Sequence, residues 1–394
     1  MFSIAVTCLA VVSRLVSGDL QQQQALSSAV SAFSQKFYQQ TFSTTKSSVF
    51  SPYSVHSALS MTSLGARGDT ATEISQALGV TSLGASTHLA YKELIQQLNT
   101  ATDVELNTVN AIYVNPNYNI LPQFVNDVTN YYSAVASNFD LSAPGGPEQP
   151  INDFIAAKTK NTIKNTVPTG TIDRNTVLLL VNTIFFNGTW ERKFPAYESF
   201  SQDFHKADGA VELLLMMHDD RTINVKRDNV NGVDVAELPF KGGRFSLYIA
   251  LPQKVDGISE LEKLLATAGK VDDLFAGLSP VRLSLAIPVV RLSSSMMVSS
   301  NLKDMGIVKA FSPMAADFTG ITQSAQVYLS HVIHNAVIDI KETGTVAAAA
   351  TVIDIVATSV QLPPAESFVA DHPFLYFLRD KQTGLILFQG QYSG

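Results

Sequence analysis

The sequence predicts an α+β fold built as a single unit. Three observations carry that prediction. Helical periodicity dominates the first hundred or so residues, strand-length apolar runs dominate the chain after residue 177, and no Pro/Gly/Ser linker, internal repeat or charge block separates the two. The chain has 394 residues, 46% apolar and 15% charged, a composition that suits a large buried core and excludes a disordered chain. Length alone would allow two or three domains. The absence of a linker argues for one.

The elements follow in order. Residues 1–18 (MFSIAVTCLAVVSRLVSG) join a short apolar run, Ile4 to Val12, to a small-residue site at Val16-Ser17-Gly18, the shape of a secretory signal peptide. A buried first helix is the alternative, because Arg14 interrupts the pattern and no basic residue precedes the run. Cleavage before Asp19 would remove Cys8, the one cysteine, and leave residues 19–394 as a thiol-free secreted domain. Leu26, Val30, Phe33 and Phe37 follow helical spacing and mark a buried face. Thr70-x-x-Glu73 reads as a capping box, with Gly79 placed to end that helix. Leu89, Leu94, Ile95 and Leu98 define another helix.

Glu105 to Val114 reads as a strand and Pro122 to Tyr132 as a helix. Ile151 to Lys164 reads as a further helix, with Lys158, Lys160 and Lys164 on a solvated face. Val177 to Phe186 (VLLLVNTIFF) is nearly continuous apolar, as expected for a strand buried on both faces. Asn187-Gly188-Thr189 is a glycosylation acceptor in what reads as a turn. Strands are expected at 211–217, 221–226, 233–239, 245–251 and 281–291, with helices near 257–266 and 298–305.

Whole function classes fall away on composition. A net charge of −7 gives no electrostatic footprint for nucleic acid or an anionic membrane surface. No stretch reaches the about 18 apolar residues of a membrane span. A single cysteine excludes an internal disulfide framework and a Cys-rich metal site. No G-x-S-x-G elbow, Walker A loop, G-x-G-x-x-G or H-E-x-x-H occurs, and Ser43-x-x-Lys46 lacks the S-D-N and K-T-G that would give it meaning. His331 and His334 lie in the strand-like run YLSHVIHNAVIDI, which turns their rings to opposite faces and argues against a shared metal. The chain therefore reads as a non-enzyme, with no cofactor and no metal.

Residues 341–364 (KETGTVAAAATVIDIVATSVQLPP) stand out instead. From Thr345 to Ser359 there is no Pro, Lys or Arg, and Asp354 is the one charge. Ala347 to Ala350 is a block of small side chains. If Thr345 points inward, so do Ala347, Ala349, Thr351, Ile353 and Ile355, while Asp354 falls on the outer face. Such a segment can enter a sheet without burying its charge, and each residue keeps an N–H for the ladder. The plain alternatives are a core strand or a helix. Four alanines favour helix, whereas the Val and Ile that follow favour strand. A segment that is loop in one state and strand in another accounts for both halves.

Ile333-His334-Asn335-Ala336-Val337, followed by Glu342-Thr343-Gly344-Thr345-Val346-Ala347-Ala348-Ala349-Ala350-Thr351, resembles the reactive-loop hinge of the serpins. Phe50-Ser51-Pro52-Tyr53-Ser54-Val55, Asn182-Thr183-Ile184-Phe185-Phe186-Asn187-Gly188-Thr189-Trp190, Glu237-Leu238-Pro239-Phe240, Ala316-Asp317-Phe318-Thr319-Gly320-Ile321 and Asp371-His372-Pro373-Phe374-Leu375 match the same family. The likeness spans the mature chain and in style is similar to the arthropod serpins, those of ticks among them. It implies a single domain with early helices packed on a large central sheet, further sheets, and an exposed reactive-centre loop at about 342–364.

The resemblance also implies a mechanism. A serine protease attacks the loop as a suicide substrate, and the cut loop inserts into the central sheet before the acyl-enzyme can hydrolyse. Glu342, Gly344, Thr345 and Ala347–Ala350 then form the hinge, in which small side chains suit insertion; Thr343 departs from the family habit of a charged or longer residue. Ser51, Ser54, Asn182, His334 and Trp190 match positions that control sheet opening. Family spacing from Glu342 puts the scissile bond at Thr358–Ser359, with Val356–Ala357 and Ala357–Thr358 as alternatives. Small aliphatic residues there suit the shallow pocket of elastase-like enzymes. Heparin is not an expected partner, since the helix over 86–99 carries one basic residue, Lys92. The expected protein is a monomeric, extracellular inhibitor, with a non-inhibitory carrier, chaperone or storage serpin as the rival.

Overall fold

The computed structural model describes residues 2–41, 46–323, 327–344 and 366–394, with side chains from residue 21 onward. Its helices are α1 (Phe2–Thr41), α2 (Pro52–Ser63), α3 (Gly68–Ala77), α4 (Ser86–Asn99), α5 (Pro122–Tyr132), α6 (Gln149–Lys158), α7 (Ile258–Leu265), α8 (Lys270–Leu274) and α9 (Ser299–Asp304). Its strands are β1 (Ser48–Phe50), β2 (Val104–Val114), β3 (Val135–Asn138), β4 (Leu178–Gly188), β5 (Phe200–His205), β6 (Val211–Asp228), β7 (Val233–Pro239), β8 (Phe245–Pro252), β9 (Ser279–Pro288), β10 (Val290–Met297), β11 (Leu329–Ile340), β12 (Glu366–Val369), β13 (Phe374–Asp380) and β14 (Ile386–Tyr392).

Two sheets organise the chain. One runs β10-β11-β4-β2-β3; the other runs β1-β14-β13-β8-β7-β6-β9-β12, with β5 also paired to β6. Helices α1 and α2 press a shared core against both sheets. Leu26, Val30, Phe33 and Phe37 of α1 are buried in it, as their spacing predicts. On the opposite face of the five-stranded sheet, Ile151 and Ile155 of α6 close a second, smaller core. Strand β4 therefore lies between two cores. Leu178, Leu180, Ile184 and Phe186 face the first, and Leu179, Val181 and Phe185 face the second. That is why its sequence shows no alternation.

Four local expectations are corrected. Helix α3 starts at Gly68, not at Thr70. The Thr70 hydroxyl accepts from the Asp317 N–H (3.0 Å), and Glu73 accepts from the N–H groups of Val308 and Lys309 (2.8 and 2.7 Å), so both capping residues serve tertiary contacts. Gly79 does end the helix, at φ +69. Helix α6 stops at Lys158 because Lys160 and Asn161 take positive φ; Lys158, Lys160 and Lys164 are exposed as expected, but Lys160 and Lys164 lie beyond the helix and Lys160 pairs with Glu105 at 2.6 Å. The strands expected at 211–217 and 221–226 are one strand, β6. The strand expected at 281–291 divides at Val289, its halves β9 and β10 belonging to different sheets.

Among the described residues, no helix is long and apolar enough to cross a membrane, and no group of three or more His, Cys, Asp or Glu is placed to hold a metal ion.

Candidate functional site

Strands β11 and β4 are parallel neighbours, paired from Leu329↔Leu178 to Val337↔Phe185. The other pairings of β11 and β4, with β10 and β2, are antiparallel. Register places His334 beside Asn182 and Asn182 beside Asn110, a polar row across three apolar strands. The row faces the amino-terminal turn of α2, where Pro52 stands at the first helical position and the Ser51 hydroxyl caps the helix by accepting from the Ser54 N–H (3.0 Å).

Hydrogen bonding fixes every group in this row. The Ser51 N–H donates to His334 Nε2 (3.0 Å), which leaves the ring proton on Nδ1. Nδ1–H donates to Asn182 Oδ1 at 2.5 Å. The Asn182 amide then donates to Ser54 Oγ and to Asn110 Oδ1, both at 2.5 Å, and the Asn110 amide donates to Ser57 Oγ (3.3 Å). All six residues are buried, and burial pushes the His334 pKa down to about 3, so the ring is neutral. His334 belongs to one side of the parallel seam, and Asn182 and Asn110 to the other. One side-chain bond of this row, His334 to Asn182, crosses it.

Trp190, expected with this group, stands apart. Past the ends of β11 and β4, residues Lys341–Gly344 make a tight turn closed by Lys341 N–H to Gly344 O (3.0 Å) and Gly344 N–H to Lys341 O (2.9 Å). Trp190 holds that turn. Its Nε1–H donates to the Lys341 carbonyl (2.7 Å) and its N–H to the Thr343 carbonyl (3.2 Å), while the Phe194 N–H donates to the Glu342 carbonyl (2.8 Å). The indole is buried and stacks on Phe240, with ring centroids 4.4 Å apart. Gly344 pairs with Thr189 at φ +118. A Cβ there would lie 2.0 Å from the Gly188 carbonyl oxygen, so glycine is required on two counts.

Ser51, Ser54, Asn182 and His334 therefore come together, and Glu342, Gly344 and Trp190 form a second cluster at the loop's origin. Thr345, Ala347, Ala348, Ala349, Ala350, Val356, Ala357, Thr358 and Ser359 lie outside the described residues. Asn187 is within β4, opposite Glu105 and half-buried, not in a turn. The sequence reading missed Asn110, Ser57 and Phe194. Asn110 could have been found, because it is the polar residue inside the strand run VNAIYV, as Asn182 is inside VLLLVNTIFF.

The family profile described as "Serpin (serine protease inhibitor)" matches residues 28–394. The chain is 31% identical to Serpin B4 of Homo sapiens, over 93% of this chain and 99% of that protein. It is 32% identical to the leukocyte elastase inhibitor of Xenopus laevis, over 87% and 92%. The crystal structure of Serpin48 of the insect Tenebrio molitor superposes with a TM-score of 0.84 at 30% identity, covering 94% of this chain and 98% of that one. A parallel seam over a polar row, a glycine-closed hinge on a buried tryptophan and these full-length likenesses agree: the chain belongs to the serpin family.

Proposed function

We propose that this protein is a secreted serine protease inhibitor that works as a suicide substrate. One observation carries the reading: the hinge turn at Lys341–Gly344 lies just beyond the ends of an adjacent parallel pair, β11 and β4. A chain leaving β11 and folding back through that turn runs antiparallel to β11, and so antiparallel to β4 as well. The seam has the polarity for a third strand between them. The small, uncharged run Thr345 to Ala350 is the segment that enters first.

The target's serine attacks the Thr358 carbonyl, releases a new amino terminus at Ser359, and remains esterified to Thr358 while residues 345–358 fill the seam. The Ile355-Val356-Ala357-Thr358 run favours an elastase-like protease, and a relative named for inhibiting leukocyte elastase supports that class. The 1–18 segment acts as the signal for export, and the active form is a monomer outside the cell. Incubation with elastases tests the proposal. Covalent complexes that survive SDS, with the cut mapped to 356–359 by mass spectrometry, are expected. Cleaved loop with no complex overturns it and leaves the non-inhibitory class.

A further inference from the structure

The polar interruption His218-Asp219-Asp220-Arg221 in β6 has no role in the seam or the turn, yet two of its charges, Asp219 and Arg221, are buried while Asp220 is exposed. The Asp219 and Arg221 side chains are each 5% exposed. Arg221 Nε donates to Asp219 Oδ2 (2.8 Å) and its Nη2 lies 2.6 Å from the same oxygen. Nη1 donates to the Arg192 carbonyl (2.8 Å) and Nη2 to the Lys193 carbonyl (3.2 Å). The guanidinium also lies over the Phe194 ring, 3.9 Å from its centroid. Asp219 is shared with the Arg192 side chain at 2.9 Å. A buried ion pair that contributed only to stability would be easy to replace with apolar residues. This one fixes two consecutive carbonyls and an aromatic ring.

What it fixes is the segment that carries the hinge. Trp190 and Phe194 bond the carbonyls of Lys341, Glu342 and Thr343. Arg221 bonds the same 190–194 segment by its carbonyls and by the Phe194 ring. For residues 345 onward to enter the seam, β4 and β11 must part, and the bonds of Trp190 and Phe194 to the hinge turn tie the continuations of those two strands together. We propose that the Asp219–Arg221 pair is a latch: a positioning element that keeps residues 190–194 rigid, holds the hinge turn in place, and so sets the rate of loop insertion. The inference rests on the proposed function and names a control point within it.

The test uses the full-length protein and a synthetic peptide of the chain's own residues 345–358, which competes for the seam. Insertion is followed as the appearance of a urea-resistant species on native gels, below the unfolding temperature. Arg221→Met keeps the shape of the stem and leaves Asp219 paired with Arg192. It raises the insertion rate about tenfold, equivalent to ~1.4 kcal/mol of barrier. Arg221→Lys keeps the charge but cannot stack flat or bridge two carbonyls, and falls between. Phe194→Leu removes the guanidinium stack together with the edge contact to Trp190 (ring centroids 6.3 Å) while keeping both Arg221 carbonyl bonds, moves the rate the same way, and serves where Arg221→Met does not accumulate.

Tyr91→Phe is the control for destabilisation without contact to the hinge, since it removes the bond from Tyr91 Oη to His56 Nδ1 (2.6 Å). It leaves the insertion rate unchanged. If Tyr91→Phe accelerates insertion as much as Arg221→Met does at equal loss of stability, Arg221 is merely structural and the latch is wrong. A wild type that accepts peptide while Arg221→Met accepts it no faster overturns the latch alone. A wild type that accepts no peptide and gains no stability on loop cleavage overturns the proposed function and the latch together.

Discussion

The bond between His334 and Asn182 should be worth something before loop insertion and nothing after it. In the native chain the two side chains sit on directly paired residues of β11 and β4 and are 2.5 Å apart in a buried row. A neutral buried hydrogen bond contributes a net ~0.5–1.5 kcal/mol, and its place in a chain of bonds from Ser51 to Ser57 adds to that. A double-mutant cycle with His334→Ala, Asn182→Ala and the double variant isolates the pair term, expected at about 1–2 kcal/mol in the intact protein. A strand entering the seam would move β11 and β4 two strand spacings apart, ~9.6 Å, beyond hydrogen-bond reach. In the loop-cleaved form the term falls to within about 0.5 kcal/mol of zero. Guanidinium unfolding of the four proteins, intact and cleaved, reads both values. An equal coupling in the two forms refutes insertion at this seam.

Two other predictions follow from the same geometry and a third from the proposed function. Burial lowers the pKa of His334 to about 3 and of His56 to about 4; because folded values lie below the unfolded one, stability is present above about pH 6.5 and is lost as pH falls, by ~2 kcal/mol per histidine at pH 5. Urea midpoints at pH 7.5 and 5 check this, and a flat profile contradicts it. Gly344→Ala puts a Cβ against the Gly188 carbonyl at φ +118, costs ~1–3 kcal/mol in backbone strain, and breaks the Thr189–Gly344 bridge. The fluorescence of the sole tryptophan, Trp190, would then report an altered hinge, and an unchanged spectrum and midpoint would count against it. If the chain inhibits as proposed, Thr345→Arg should turn it into a substrate with the fold intact, read as a rise in protein consumed per protease blocked.

The sequence carried the architecture further than the wiring of the site. Pro122–Tyr132 forms α5 at the expected bounds because its proline, apolar spacing and terminal residues act locally. The unbroken run in β4 marks a strand between two cores. Elsewhere local pattern misled wherever a polar residue had a distant partner. The polar run His218-Asp219-Asp220 makes β6 read as two strands, since nothing local announces that Asp219 pairs with Arg221 against residues 192–194. Thr70 and Glu73 imitate a capping box while bonding residues more than two hundred positions away. Ser51, Ser54, Asn182 and His334 were found by family likeness, but their separation from Trp190 depends on sheet register. Strand pairing is the step a one-dimensional pattern does not encode.

Limited proteolysis followed by thermal unfolding reads whether β11 and β4 part to admit the loop as a strand. A protease that cuts within 356–359 frees residues 345–358 to enter the seam. The cleaved protein, with both fragments still associated, is expected to melt ~10 °C or more above the intact one. A cleaved protein that melts at or below the intact temperature contradicts insertion at this seam.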